Sequence, residues 1–145
     1  MDWTPLDLKN LAALYDDMAD ALLAFRRQNA GTLPQTTRNK LTTVFGQLIS
    51  AAESFEHLAV AGALTGLNSD VKDLQNAAHD TIAALQTIAD VQKAMGIAVA
   101  AVAVVTAVAT TPISAGAVAG ALGILVKGVK DATAPSNPNP KGGSR

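Results

Sequence analysis

The chain has 145 residues, a formal net charge of -1, 49% hydrophobic residues and no cysteine, which is enough for one domain with a core of its own. The missing cysteines exclude disulfide scaffolds, thiolate zinc sites and cysteine nucleophiles. Charged residues make up only 16% and aromatics 3%, with a mean hydropathy of +0.24, so the chain is too apolar for disorder and more apolar than an ordinary cytosolic enzyme.

The charge is uneven. Residues 1 to 93 hold 11 acids and 7 bases, whereas residues 94 to 145 hold one acid, Asp131, and four bases. No basic stripe interleaved with aromatics appears, so no nucleic-acid partner is expected. Met1-Asp2-Trp3-Thr4-Pro5 has no positive segment leading into an apolar one. A cleaved secretory signal is therefore not expected, and the location expected is a membrane surface or a destination reached by a non-classical route.

Thr4-Pro5 reads as an N-cap and first-turn proline, and Leu8, Leu11, Tyr15, Met18, Leu22 and Phe25 then fall on one helical stripe. Arg26 and Arg27 suit the last turn, and Asn29-Ala30-Gly31 reads as a left-handed stop, which predicts a first helix over 5–29. After Pro34, Leu41, Val44, Leu48, Ala52, Phe55, Ala59 and Gly62 form a second stripe, widened by Phe45, Ile49 and Leu58, for a helix over 35–63. Gly62, Gly66 and Asn68-Ser69 mark a stop, a turn and a new cap. Val71, Leu74, Ala78, Ile82, Leu85 and Ala89 form the third stripe, for a helix over 69–93. The short connections predict antiparallel packing of these three amphipathic helices.

Beyond Lys93 the pattern changes, because Ala94 to Val126 is a run of 33 residues without a charge. One helix of that length would extend about 50 Å, well past a hydrocarbon layer of about 30 Å. Thr111-Pro112 repeats the cap-and-proline start, so the run divides into Ala94–Thr110 and Pro112–Lys130, a hydrophobic helical hairpin. The fold class expected is thus all-α: an antiparallel bundle of about three amphipathic helices plus a C-terminal hairpin over 94–130. Residues 1–131 form one helical domain in this reading, and the proline-rich and glycine-rich stretch 132–145 is a disordered tail.

The hairpin is the candidate site. Its membrane-insertion or oligomer residues are Ile97, Val102, Val104, Val105, Val108, Pro112, Gly116, Gly120, Gly123 and Leu125, with Lys93, Lys127 and Lys130 as basic flanks that stay on the entry side. Gly116 and Gly120 are four apart and open a small-residue surface to another helix. Gly96 is the candidate hinge between the third helix and the apolar arm, set against the plainer role of a glycine that permits close packing. Val104→Asp is expected to abolish permeabilisation while leaving residues 5–93 helical. Two other readings compete: the central helices of a soluble bundle, which predicts dimerisation or an exposed apolar patch, and a strand pair or tongue over Ile97–Thr111.

No constellation for catalysis stands out, and no cofactor or metal is expected. Glu53 and His57 are four apart and read as a surface pair, while Asp16, Asp17 and Asp20 lack the glycine and spacing of a calcium loop. Gly116 to Gly120 lacks the lysine and hydroxyl residue of a phosphate loop.

In architecture, the uncharged run Ala94–Val126 following a long helix over 69–93 resembles the helical pore-forming toxins of the cytolysin A type. That resemblance implies a soluble protein that refolds a hydrophobic element and assembles as a ring of helices in a target membrane. Small holins and helical substrates of specialised secretion systems look similar at the same coarse level. The partners expected are a lipid bilayer and further copies of the chain, with a soluble interaction module bound to a protein partner as the alternative.

Overall fold

A computed structural model describes residues 2–110 and 112–134, which fold as five α-helices: α1 (Pro5–Gln28), α2 (Gln35–Ala61), α3 (Val71–Thr87), α4 (Val91–Ala109) and α5 (Ala115–Thr133). Among the described residues the only β pairing is an isolated bridge between Trp3 and Leu64. The protein is all-α. The strand reading of Ile97–Thr111 is overturned, since Val91–Ala109 is helical; abundant alanine outweighs the β-branched valines there.

Four of the five helix starts have a side-chain cap, and α2, which follows Pro34, has none. Thr4 and Asp7 form a reciprocal capping box, with the Asp7 amide donating to Thr4 Oγ1 at 3.1 Å and the Thr4 amide donating to Asp7 Oδ2 at 2.9 Å. Asp70 caps α3 through the Lys72 amide, Asp90 caps α4 through the Gln92 and Lys93 amides, and Ser114 caps α5 through the Ala117 amide. Gly62 ends α2 at φ 125°, a conformation that a side chain would strain.

Several boundaries differ from the sequence expectation, and α2 ends at Ala61 rather than 63. Helix α1 does not end in a left-handed residue: Asn29 has φ -111°, and its side-chain amide donates back to the Phe25 carbonyl at 2.8 Å. The cap of α3 is Asp70 rather than Ser69, whose carbonyl is taken by the Trp3 indole N–H at 2.9 Å. The third helix does not run to Lys93 but breaks at Ile88, Ala89 and Asp90, because Asp90 offers its carboxylate to two new N-terminal amides. The second arm starts at Ala115, not Pro112, because the Ser114 hydroxyl provides the cap; Thr111 lies outside the described residues. Of the expected tail, Ala132 and Thr133 belong to α5, and residues 135–145 lie outside the described residues.

The helices meet in a circuit: α1 packs on α2 and α3, α2 on α4, α4 on α5, and α5 returns to α3. Side chains from all five enter one core. The three predicted stripes hold at Leu8, Leu11, Tyr15, Met18, Leu22 and Phe25, at Leu41, Val44, Leu48, Ala52, Phe55 and Ala59, and at Val71, Leu74, Ala78 and Leu85, all of which are buried. Trp3 is fully buried as well, and it exchanges backbone hydrogen bonds of 2.9 Å with Leu64. The segment before α1 thus fastens the α2–α3 connection.

Candidate functional site

Helices α4 and α5 carry the residues nominated from sequence, and the structure divides those residues into two groups. Ile97, Val104, Val105, Val108 and Leu125 face the core and are at most 3% exposed, and Val102 is half-buried. Pro112, Gly116, Gly120, Gly123 and the three lysines, Lys93, Lys127 and Lys130, are exposed. Gly96 is exposed within α4, beyond the actual break at 88–90, so the hinge expected at the α3–α4 junction does not coincide with it. A Cβ added at Gly96 would meet nothing within 4 Å, so close packing inside the chain does not account for this glycine either.

The outer face of α4 is a separate stripe. Gln92, Gly96, Val99, Ala103, Thr106 and Thr110 recur at steps of four and three and are all exposed, whereas Ala94, Ile97, Ala101, Val104 and Val108 point inward. Both faces lack charge beyond Lys93, so polarity could not separate them; side-chain volume does so only in part, with Ile97, Val104, Val105 and Val108 turned inside and Val99 outside. On α5 only Val118, Leu122, Leu125 and Val129 are buried. Ile124 is 67% exposed and Val126 46%, and Val99 on α4 is 50% exposed. None of these three was nominated from sequence.

The glycine surface of α5 is open. A Cβ at Gly120 or Gly123 would meet nothing within 4 Å, whereas one at Gly128 would lie 3.8 Å from Ile97 Cγ2 on α4. The start of α4 and the end of α5 therefore lie side by side, with Lys93, Lys127 and Lys130 in that region. Among the described residues α4 is the one helix long and apolar enough to cross a membrane by length and composition, and 39% of its apolar window is buried.

Tyr15 ties α4 to the rest of the molecule. Its phenol donates to the Ala101 carbonyl at 2.7 Å, and its ring meets Phe55 edge-on with centroids 5.2 Å apart, so one side chain joins α1, α2 and α4. Burial pushes the Tyr15 phenol above its ordinary pKa, which keeps it a neutral donor.

Two grooves flank the α4–α5 pair. An open groove of 1080 Å³ runs between α3 and α5, with Asp73 and Asp80 on one wall and Lys127 and Lys130 on the other. A second, of 720 Å³, lies between α2 and α4 and is lined by Thr43, Gly46, Ser50, Val102 and Thr106 among others.

Away from this region, folding gathers Asp16, Asp17 and Asp20 of α1 with Glu53 and Glu56 of α2, a juxtaposition that spacing within one helix does not reveal. Partial burial, then repulsion from Glu56, Asp20, Asp17 and Glu53, raises the Asp16 carboxyl above its ordinary pKa. A pKa raised by folding means that the stability linked to the protonated form is present below the unfolded-state value and is lost as pH rises through the folded-state value. Asp16→Asn is accordingly expected to stabilise the protein at neutral pH by a few tenths of a kcal/mol, since the group is exposed and screened. In urea unfolding, the gain shrinks with added salt and disappears at about pH 3, below the carboxylate range. Glu53 and His57 are both exposed. Among the described residues no group of three or more His, Cys, Asp or Glu side chains is placed to hold a metal ion.

No family model, curated protein or solved structure matches the chain.

Proposed function

We propose that this is a membrane-active, self-associating helical protein in which α4 and α5 act as a hydrophobic hairpin, set against three amphipathic helices and delivered to a bilayer. The observation that carries the reading is the exposed, uncharged surface from Gly96 on α4 to Val126 on α5, with lysines in the region where the start of α4 meets the end of α5. The closeness of Gly128 to Ile97, where an added Cβ would lie 3.8 Å from Ile97 Cγ2, supports opposite helix directions, which leaves an uncharged connection at the far end.

The uncharged part of α4, Ala94 to Ala109, extends about 24 Å, short of a hydrocarbon thickness of about 30 Å. The uncharged part of α5, Ala115 to Val126, extends only about 18 Å before Lys127. The hairpin thus inserts to partial depth from one side, with Lys93, Lys127 and Lys130 at the headgroups there, where anionic lipid attracts them by about 1 kcal/mol each. Insertion requires the buried face of α4 to leave the core, so lipid selects an opened conformation.

Co-flotation with neutral and anionic liposomes, without detergent, tests the proposal, together with release of an entrapped dye. Flotation that strengthens with anionic lipid is the expected result. A folded protein that stays at the bottom of the gradient with both lipids overturns it. The commitment of Val104, Val108 and Leu125 to the core favours a second reading, a soluble interaction module, and that result would select it.

A further inference from the structure

The groove between α3 and α5 combines features that neither helix has alone. Its floor is apolar, formed by Ala77, Ala84, Leu122 and Val129, which are all buried. Its walls are opposite in sign, with Asp73 and Asp80 on α3 and Lys127 and Lys130 on α5. The groove keeps these charges apart, and among the described residues neither Asp80 nor Lys127 forms an ion pair. At the lips Ala83, Ala119 and Gly123 are exposed, and a Cβ at Gly123 would meet nothing within 4 Å, so a neighbouring backbone can approach closely.

We infer that this groove is the face through which a second copy of the chain docks, each copy's acidic α3 wall meeting the other's basic α5 wall. Charge complementarity selects this occupant. A partner of one sign would satisfy one wall and be repelled by the other, whereas a two-fold-related copy pairs both walls at once, the self-complementarity that an isologous interface requires. The inference rests on the self-association in the proposed function and gives it a surface.

Asp80 lies mid-helix and Lys127 precedes the last turn of α5, so reversing either charge leaves the helix caps intact. The 145-residue chain is studied by sedimentation equilibrium in low salt, without lipid or detergent. A dimer is expected for the native sequence. Asp80→Lys and Lys127→Glu should each raise its dissociation constant about tenfold, because like charges then face each other across both halves of the interface. The double variant carries the walls exchanged and should dimerise again, and an equimolar mixture of the two single variants should form a one-to-one dimer. Circular dichroism verifies that each variant is folded.

A protein that is monomeric at all concentrations overturns the inference, as does an oligomer indifferent to both reversals or a double variant that is not rescued. Flotation reports separately on the membrane reading. A monomer that floats removes the interface and keeps the bilayer, and a charge-dependent dimer that does not float keeps the interface and removes the bilayer.

Discussion

Val104→Asp is expected to unfold the protein, whereas Val99→Asp is expected to leave it folded and unable to float with liposomes. The two valines lie five residues apart on α4, yet Val104 is fully buried and Val99 is 50% exposed. A carboxylate at Val104 would be placed in the core without a partner, at a cost of about 4 kcal/mol or more, a large share of a domain stability of about 5 to 15 kcal/mol. The substitution chosen on sequence grounds to block insertion thus damages residues 5–93 as well, and a negative result from it would be uninformative. At Val99 the carboxylate keeps its water in the folded state, so the change in stability is expected to be within about 1 kcal/mol. In a bilayer the same residue lies near the middle of α4, where a carboxylate costs about 2.5 to 3.5 kcal/mol, or about a hundredfold in partitioning. Thermal melting followed by circular dichroism, alongside flotation, separates the two. Unchanged flotation of a folded Val99→Asp protein would mean that α4 does not enter lipid.

Tyr15→Ala is expected to destabilise the protein by about 3 to 5 kcal/mol, the range for emptying a buried aromatic site. The Tyr15 ring is fully buried against Phe55, and its hydroxyl reaches the Ala101 carbonyl, so one side chain joins α1, α2 and α4. Tyr15→Phe is the more informative change. It keeps the ring and removes only the hydrogen bond to the Ala101 carbonyl, which still has its helical partner, so the loss should be about 1 kcal/mol. If insertion requires α4 to leave the core, this small loss is also subtracted from the cost of opening, and flotation should rise about fivefold. Loss of stability in urea without any gain in flotation would show that the Tyr15 bond does not restrain membrane binding.

The amphipathic helices were legible because polarity alternates around them. Six stripe residues of α1, from Leu8 to Phe25, are buried as their spacing predicts. The break before α4 was not legible, because Ile88-Ala89-Asp90 holds no glycine or proline and Asp90 reads equally well as an exposed acid within a longer helix. In the uncharged run the sequence marks a boundary with water but not a direction, so Val104 and Val99 look alike until packing assigns one to the core. The acidic wall of the large groove comes from α3 and the basic wall from α5, which meet only through the closed circuit of helices. Trp3 carried a weak signal as the single tryptophan beside a helix cap, but its partners, Leu64 and Ser69, are more than 60 residues away.

Helix α5 is held by four buried side chains, against nine for α1 and seven for each of the others. Detaching it costs less than global unfolding, and the rest of the chain can keep its capping box, the Trp3 clasp and the Tyr15–Phe55 contact. In amide hydrogen exchange, deuterium should therefore enter α5 through sub-global opening before it reaches the protected centres of α1 and α2. The molecule then consists of a durable frame and one element with a lifetime of its own.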